Sequence, residues 1–408
     1  MEITRFGVHV RNFYFYSNKT SLKKLFLNFL LFIIAYNAST QPPVVDTCGI
    51  RISLLTCTPG DELYTTFGHS ALRVIDRRDG TEAIFNYGTF DFEDPIKFYK
   101  NFVKGKLLYY VSLDNTNRFL AEYDHFGRGV TEQVLNLTCD EKDRFVKALF
   151  ENAKEENKYY RYDFNYDNCT TRLRDMLEKA TGKTLQTTIQ LTSSETTFRD
   201  LIHEYLDKGH QYWSKLGIDI LLGSPLDTRV TNREAMFLPD YLMLAFDSSS
   251  YNGKPLVEEK LQLLPQRAAS EGKPFFTPLI VFGIVWLIIA LLGLVKSRGV
   301  TIFLNVFDTL FFFLCGLMGV LLLFMWFGTE HAMARNNFNL LWALPTHLVA
   351  APLIMSNKQW VKKYFYITSL YCLGLLAAWF FLPQGMNNAL LPIVAIMLVR
   401  SAVISKRK

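Results

Sequence analysis

The last third of the chain restricts its fold more than any other feature. From residue 275 onward the sequence is almost unbroken Leu, Ile, Val, Phe, Ala and Trp, whereas charged residues lie mainly before that point. Apolar stretches occur near 275–295, 302–327, 338–356, 364–382 and 388–402. Each is close to the roughly 20 residues that an α-helix needs to cross a bilayer. The sequence therefore predicts an all-α transmembrane bundle of about five helices over 275–408.

The loops between these stretches alternate in charge, which predicts their orientation. Basic residues follow the first, third and fifth stretches: Lys296, Arg298, Lys358, Lys362, Lys363 and the final SKRK. The loops 328–337 and 383–388 carry no net positive excess. Because positively charged loops stay in the cytoplasm, we expect these two loops outside and the C-terminus inside.

An export segment precedes the first domain. Residues 19–40 read KTSLKKLFLNFLLFIIAYNAST, in which lysines are followed by an apolar run and then by small residues. This order is typical of a secretory signal, and the run is short for a membrane span. A cleaved signal peptide and an uncleaved signal anchor both fit residues 1–40. Either one places the next domain on the periplasmic side of a bacterial inner membrane.

The segment 41–246 has the mixed pattern of an α+β domain. IRISLLT, SALRVID, AIFNYGTF and LLYYVSL have the length and the β-branched or aromatic content of strands. DEKDRFVKALFENAKEE and NCTTRLRDMLEKATG have helical spacing, and the pattern stays helical from about residue 185. The polar, turn-rich segment 247–274 is predicted to be a linker to the membrane domain.

Charge and cysteine content exclude several classes of function. The net charge is only +6 and the basic residues form no dense block, so the sequence predicts no nucleic-acid partner. The six cysteines form no CxxC pair, so neither a zinc site nor another metal is expected. In an oxidising compartment a disulfide between Cys48 and Cys57 is compatible with the sequence, although spacing does not fix connectivity.

Cys169 is the strongest candidate for chemistry. Asp167 or Asn168 can cap a helix that starts at this cysteine. A first-turn cysteine gains from the helix dipole, which favours the thiolate, and free backbone N–H groups there can hold a developing oxyanion. Cys169 also shares a stripe with Leu173 and Leu177, so a buried structural cysteine fits the same pattern.

His69 is the candidate base for this thiol. It begins a predicted strand after a turn-like glycine, about 100 residues before Cys169, and histidine titrates near physiological pH. His125, His203 and His210 compete, but none of them begins a clear strand. Asn86, on the next strand, can orient the imidazole or merely satisfy a backbone group.

The order of these residues resembles a known fold. A histidine on an early strand followed by a cysteine at a helix start is similar to the circularly permuted papain-like thiol fold of the NlpC and lecithin–retinol acyltransferase type. LLTCTPGDELYTTFGHSALRV, FNYGTFDF, VKGKLLYYVS, RGVTEQVLNLT and YYRYDFNYDNCTTRLRD resemble the exported domain of Lnb-type lipoprotein N-acyltransferases of Bacteroidota. GIDILLGSPLDTRVTNREAMFLPDYLMLAF, TEHAMARNNFNLLWALPTHL and the multi-span tail extend the resemblance over nearly everything from about residue 50.

The resemblance implies that Cys169 is a nucleophile and His69 its base. The implied activity moves an acyl chain from a membrane phospholipid to the N-terminal cysteine amine of diacylglyceryl lipoproteins. The residues themselves support the reaction type, in which a thiolate attacks an ester, a thioester remains and an amine accepts the acyl group. No metal or organic cofactor is expected.

Two other functions stay open. A membrane-bound cell-wall cysteine peptidase or amidase has the same chemistry with water as acceptor. One anchor is sufficient for such a hydrolase, however, whereas both substrates of the acyltransferase lie in lipid. The second alternative is a non-enzymatic exported sensing or scaffold module, in which Cys169 is structural and His69 only hydrogen-bonded.

The outer loop TEHAMARNN and the span after it carry polar residues near the predicted bilayer surface. Arg335 can hold the phosphate of the acyl donor, Glu330 can hold the amino terminus of the acceptor, and His331 is a third candidate substrate-binding residue of the loop. Solvated loop residues fit the same pattern. Asn339 and His347 lie within the predicted span, where polar groups are costly, so they either function or join neighbouring helices.

Overall fold

The computed structural model covers the chain from Cys48 to Arg407 with short gaps. The described residues are 48–92, 94–185, 187, 191, 193–251, 253–267, 272, 274–356 and 358–407. The predicted export segment 19–40 lies outside them. From Cys48 onward, contacts join a sheet-rich N-terminal domain and a helical C-terminal region into one unit.

A seven-stranded antiparallel sheet forms the centre of the N-terminal domain. Its strands are β1 Ile50–Cys57, β2 His69–Asp76, β3 Thr81–Thr89, β4 Leu108–Asp114, β5 Val130–Leu135, β6 Tyr159–Arg161 and β9 Val257–Leu264. The spatial order is β6-β4-β3-β2-β1-β5-β9, and β7 (Ser250–Tyr251) and β8 (Lys254–Pro255) form a separate hairpin. Both ends of the sheet are therefore formed by strands from later in the sequence than their neighbours.

Helices cover both faces of this sheet. The helices of the N-terminal domain are α1 Pro95–Lys104, α2 Thr116–His125, α3 Cys139–Asn152, α4 Cys169–Thr181, α5 Phe198–Lys208, α6 Tyr212–Leu221, α7 Asn232–Ala235 and α8 Pro239–Ser248, of which α2, α3, α4 and α8 contact the sheet. Leu173 of α4 and Phe145 of α3 pack against Ile52 on one face, and Phe119 of α2 packs in the cluster of Leu55 on the other. Because both faces are covered, β1 is buried almost throughout, as its continuous apolar run IRISLLT requires.

The predicted linker 247–274 contains part of the sheet. Strand β9 lies within it and pairs with β5 along most of its length. Its residues, VEEKLQLL, are mainly exposed or half-buried because β9 is the edge strand of the sheet. Edge strands tolerate charge on their open side, and this explains why the segment has the composition of a connector.

The disulfide expected between Cys48 and Cys57 is wrong. Cys48 instead bonds to Cys139, at a Cα–Cα distance of 5.4 Å, and so ties the start of β1 to the first residue of α3. Strand β1 separates Cys48 from Cys57, and an extended strand rises about 3.3 Å per residue, which is too far for a bridge. Cys57 is a free, fully buried thiol opposite His69.

The C-terminal region is helical and apolar. Its helices are α9 Pro278–Leu292, α10 Arg298–Phe327, α11 His347–Ala350, α12 Gln359–Ala378 and α13 Leu391–Ser405. In the described part of the chain three segments are long and apolar enough to span a membrane: Arg298–Phe327, Gln359–Phe381 and Asn388–Ser405. The count of five crossings stays a prediction, since α9 has only 15 residues.

The predicted span 338–356 is broken into short pieces. It comprises the 3-10 turns Phe338–Leu341 and Ala351–Ser356 on either side of α11, which has four residues. Pro345 and Pro352 interrupt a regular helix here because each lacks a backbone N–H. The pieces pack against α10, where Gly319 leaves room for the backbone of Ala343.

The loops on one end of the helical region contact the N-terminal domain. Gly223, after α6, donates its N–H to the carbonyl oxygen of Met333 at 2.7 Å, and Gln384 Nε2 donates to the carbonyl of Leu222 at 3.2 Å. Asn339 is fully buried and donates to the carbonyl of Asp219 at 2.7 Å. Both predicted outer loops therefore lie against the helical extension of the N-terminal domain.

Candidate active site

Cys169 is the first residue of α4, and its neighbour Asn168 fixes where that helix begins. Asn168 Oδ1 accepts hydrogen bonds from the N–H groups of Thr170 and Thr171, each at 2.9 Å. Its Nδ2 donates to the carbonyls of Phe164 at 2.8 Å and Phe237 at 2.7 Å. This buried amide therefore holds the helix start in place, as capping residues do.

The capping pattern determines which backbone donors remain for an oxyanion. Two of the first-turn N–H groups, those of Thr170 and Thr171, are already bound by Asn168. The expected set of free donors is thus reduced to the N–H of Cys169 itself, which has no hydrogen-bond partner within the described residues. A developing negative charge beside the sulfur meets this group first.

His69 is the first residue of β2 and lies beside Cys169. Its imidazole hydrogen-bonds to the thiol, and the N–H of Ser70 also donates to the sulfur. Gly88 forms the adjoining wall, since a Cβ atom there would lie 3.5 Å from Cys169 Cβ and 3.9 Å from His69 Cε1. Gly88 has φ of +93° at a bulge in β3, a conformation that disfavours other residues.

Asn86 extends this pair into a chain of side chains. Its Oδ1 lies 2.7 Å from His69 Nε2, and its Nδ2 donates to Asp114 Oδ2 at 2.7 Å. A carboxylate only accepts, so Asn86 must present its oxygen to the histidine and Nε2 must carry the proton. This tautomer leaves Nδ1 as the ring nitrogen that can take a proton from Cys169.

Asp114 was missed by the sequence reasoning. It ends β4, where Asn86 pairs with Ser112, so Asp114 is the diagonal neighbour of Asn86 on the same face. Only the register between β3 and β4 reveals that neighbour. Ser112 Oγ lies 3.2 Å from the same carboxylate oxygen and helps to position it.

The environment makes Cys169 acidic. Burial raises the pKa of its thiol, but the positive charge and hydrogen bond of His69, the Thr170 hydroxyl and the Ser70 N–H outweigh burial and lower it from 9.0 to about 7. For His69, burial lowers the pKa, but the charge and hydrogen bond of Cys169 and the hydrogen bond of Asn86 raise it above 6.5. The two groups therefore favour a thiolate–imidazolium pair near neutral pH.

The competing histidines have other partners. His203 Nε2 lies 2.8 Å from Asp219 Oδ1, inside a buried polar network. His210 Nδ1 lies 3.3 Å from the hydroxyl of Tyr212, and His125 packs its ring on Phe126. Of these four histidines, His69 is the one that lies beside Cys169.

The side chains of Glu330 and His331 have protein partners, whereas the side chain of Arg335 has no hydrogen bond or ion pair with the described residues. Glu330 forms ion pairs with Lys106, at 3.1 Å, and with Arg161. His331 Nε2 lies 2.9 Å from the carbonyl oxygen of Phe102. Arg335 is exposed, while its backbone contacts Gly223. The structure does not bring these three residues into the contacts of Cys169, so their substrate-binding roles stay predictions.

The polar residues of the broken span are internal. Asn339 binds the carbonyls at the end of α6, and its Oδ1 accepts from Trp342 Nε1 at 2.9 Å. His347 is buried, with Nδ1 2.7 Å from the hydroxyl of Tyr364. Both residues join segments of the structure, the second of the two readings that the sequence allowed.

Comparison with known families confirms the resemblance found in the sequence. The model of the Lnb N-terminal periplasmic domain matches residues 44–205, which include Cys169, His69 and Asn86. The model of the Lnb transmembrane domain matches residues 270–408. No curated protein and no solved structure gives a significant match.

Proposed function

Because the chain belongs to the Lnb family, as a membrane protein with a periplasmic N-terminal domain, we propose that it is a lipoprotein N-acyltransferase. The acyl donor is a membrane phospholipid, and the acceptor is the N-terminal cysteine amine of a diacylglyceryl lipoprotein. The observation that carries this proposal is the acidified Cys169 beside His69 in a domain continuous with apolar helices. A thiolate in that place can take an acyl chain from lipid and hold it as a thioester.

The first half-reaction forms the thioester. The thiolate of Cys169 attacks the ester carbonyl of the phospholipid, and the N–H of Cys169 donates to the tetrahedral oxyanion. The C–O bond then breaks, and the imidazolium of His69 gives its Nδ1 proton to the departing lysophospholipid oxygen. One acyl chain remains on sulfur, and the histidine is neutral.

The second half-reaction forms the amide. The lipoprotein amine attacks the thioester, and neutral His69 accepts the proton that the nitrogen loses. The C–S bond breaks, the thiolate leaves, and the starting ion pair is restored. Asn86 and Asp114 act through His69, because they hold its ring with Nδ1 toward the sulfur in both steps.

Contacts of the outer loops support the proposed topology. The loops 328–337 and 383–388 both touch the helical extension of the periplasmic domain, so all three belong on one side of the membrane. The C-terminus is then cytoplasmic, in agreement with the charge of the other loops. A reporter inserted near Asn336 should behave as periplasmic and one fused after Lys408 as cytoplasmic. The reverse pair of results contradicts this orientation.

Arg335 is the member of the predicted substrate-binding group that is free to meet a donor phosphate. Its side chain is exposed on the same loop that contacts the periplasmic domain. Glu330 and His331 contact α1 and its following turn, and their part in substrate binding stays a prediction. The domain boundaries proposed with this function are 1–40 for export, 41–246 for catalysis, 247–274 for connection and 275–408 for the membrane.

Reconstitution distinguishes transfer of the acyl chain to an amine from its hydrolysis by water. The full chain in lipid nanodiscs is given phospholipid labelled in its acyl chains and a diacylglyceryl lipopeptide with a free amine. We expect label on the lipopeptide nitrogen, and a labelled protein thioester when the lipopeptide is withheld. Free labelled fatty acid as the dominant product would instead favour the peptidase or amidase class, in which water is the acceptor. No labelled thioester would favour the non-enzymatic reading.

A further inference from the structure

Helix α1 exposes its apolar face. The sequence PIKFYKNFVK places apolar residues at i, i+3, i+6 and i+7 from Ile96, and no described residue of this helix is buried. The exposed fraction is 82% for Ile96, 58% for Tyr99 and 51% for Phe102. Lys97, Lys100 and Lys104 form a basic strip that adjoins this apolar face. This arrangement is the reverse of a helix that packs on its own domain.

Contacts at its C-terminal end fix where α1 lies. The N–H of Glu330 donates to the carbonyl of Lys104 at 2.9 Å, and His331 Nε2 lies 2.9 Å from the carbonyl of Phe102. At Gly105, with φ of +68°, a Cβ atom would come within 3.0 Å of the His331 nitrogen. Because the long helix α10 ends at Phe327, the C-terminal end of α1 lies close to the end of a candidate membrane span.

A row of aromatic rings leads from α1 toward the active site. Phe98 lies 5.2 Å from Phe90, and Phe90 lies 5.4 Å from Tyr109, measured between ring centroids. Tyr109 stacks on Tyr162 at 4.2 Å. Tyr162 and Cys169 pack against the same core cluster. The rings therefore form a continuous row from the exposed helix to the core cluster against which Cys169 also packs.

Strand β3 links the two ends of this wall. It carries Asn86, which holds His69, and Gly88, which lines the cleft beside Cys169. Phe90 and Phe92 follow directly and pack on Phe98. The same few residues thus place the catalytic histidine and the start of the aromatic row.

We propose that α1 lies in the headgroup region of the outer leaflet, and that the row Phe98, Phe90, Tyr109 and Tyr162 receives an acyl chain of the phospholipid. A lipid surface is the occupant that fits, because α1 is tied to the end of a span and because a basic amphipathic helix binds anionic headgroups. The membrane contact stands on geometry alone. The acyl-chain path rests on the proposed function.

Photocrosslinking tests the membrane contact with two adjacent positions. Benzoylphenylalanine replaces Tyr99 on the exposed apolar face or Lys100 on the basic face, in the full chain embedded in nanodiscs with labelled phospholipid. We expect a phospholipid adduct at position 99 and a much weaker one at position 100. Equal labelling at both positions, no lipid adduct at 99, or an adduct there with protein would overturn the proposed contact.

Introducing charge on the apolar face of α1 tests the proposed acyl-chain path. Ile96→Glu with Val103→Glu should slow formation of the Cys169 thioester from bilayer phospholipid by about tenfold, because charge on the apolar face opposes its contact with the lipid chains. Asn101→Glu adds a charge on the other face of α1 and is the matched control. Alkylation of Cys169 by soluble iodoacetamide should be unchanged in both variants.

The outcomes separate this inference from the proposed function. Equal thioester formation in the double variant, in Asn101→Glu and in the unchanged chain would overturn the acyl-chain path. If the unchanged chain forms no thioester, the proposed function and the path both fail. The adduct at position 99 still decides the membrane contact in that case.

Discussion

Two cysteines of the periplasmic domain, the fully buried Cys57 and the partly buried Cys169, show how environment sets the acidity of a thiol. For Cys57, burial raises the pKa to about 12, and a hydrogen bond from Tyr123 offsets little of this change. For Cys169, burial acts in the same direction but His69, Thr170 and the Ser70 N–H outweigh it. Burial raises the pKa of both thiols. The difference between their pKa values therefore comes from the charges and hydrogen-bond donors around each sulfur.

The His69→Ala variant should shift the titration of Cys169 upward. A thiolate exists above the thiol pKa, so losing the group that lowers this pKa reduces the thiolate at neutral pH. A return toward 9.0 would slow alkylation at pH 7 by about a hundredfold, with recovery at alkaline pH. The measurement is the iodoacetamide rate against pH in a Cys57→Ala background. A midpoint still near 7 contradicts the assigned ion pair.

Asn86 and Asp114 should act as positioning residues. Asn86→Ala frees the His69 ring, and Asp114→Asn allows Asn86 to reverse its amide, so each should slow thioester formation by about tenfold or more. These losses should stay below the roughly 10²–10⁴-fold of a missing general base. Asp114→Glu tests for partial rescue. An unchanged pH profile for alkylation in Asn86→Ala would show that the hydrogen bond to His69 has no effect on the pair.

At the scale of helices and strands, the sequence predicts the features that neighbouring residues determine, such as where a helix or a strand begins. The sequence predicts the start of α4 because Asn168 precedes an amphipathic run. It predicts the strand that begins at His69 because this residue follows a glycine. The partnership of Asn86 with Asp114 is not readable, since it depends on register between two strands. The same limit hides the bond between Cys48 and Cys139, which joins distant parts of the chain.

The bulge in β3 gives a matched pair of glycine variants. Gly88 and Gly80 both have positive φ, of +93° and +78°, but a Cβ atom at Gly80 meets nothing within 4 Å. Gly88→Ala and Gly80→Ala should each lower the free energy of unfolding by about 1–2 kcal/mol through backbone strain. Only Gly88→Ala should also slow alkylation of Cys169, because its methyl group contacts Cys169 Cβ and His69 Cε1. If Gly80→Ala slows alkylation of Cys169 to a similar extent, the slowing in Gly88→Ala results from lower stability alone.

At the scale of the whole molecule, a buried polar network joins the periplasmic domain to the helical region. Arg199 Nη1 lies 2.6 Å from Asp219 Oδ1, and its Nε lies 2.8 Å from Asp227 Oδ1. Asn387, in an outer loop, donates to Asp219 Oδ2 at 2.8 Å, and the N–H of Gly385 donates to Asp227 at 2.9 Å. The N-terminal domain is therefore held against the loop 383–388 of the helical region.

Asp219→Asn should weaken this junction. Removing a buried charge that pairs with Arg199 and His203 should cost about 3–5 kcal/mol. Asp207→Asn, in an exposed pair with Lys215, is the matched control and should cost at most about 1 kcal/mol. Thermal unfolding of the full chain in detergent measures both. Equal effects of the two substitutions would contradict the role of the buried network.

The pH dependence of the same junction follows from Asp219. Burial raises the pKa of this carboxyl, but hydrogen bonding and charge from His203 and the charge of Arg199 lower it below 3.8 overall. Its stabilising contribution is thus complete above the ordinary pKa and is lost as the pH falls through the lower, folded value. Asp219→Asn should accordingly flatten the loss of unfolding temperature in acid, compared with the unchanged chain.

The central claim is that Cys169 transfers an acyl chain to a lipoprotein amine. Mass spectrometry of a mature lipoprotein N-terminus, from cells with the unchanged chain, with Cys169→Ala or with Cys57→Ala, tests it most directly. The account predicts N-acylated cysteine with the unchanged chain and with Cys57→Ala, and a free amine with Cys169→Ala at equal protein level. N-acylated lipoproteins in cells that contain only the Cys169→Ala variant would contradict it.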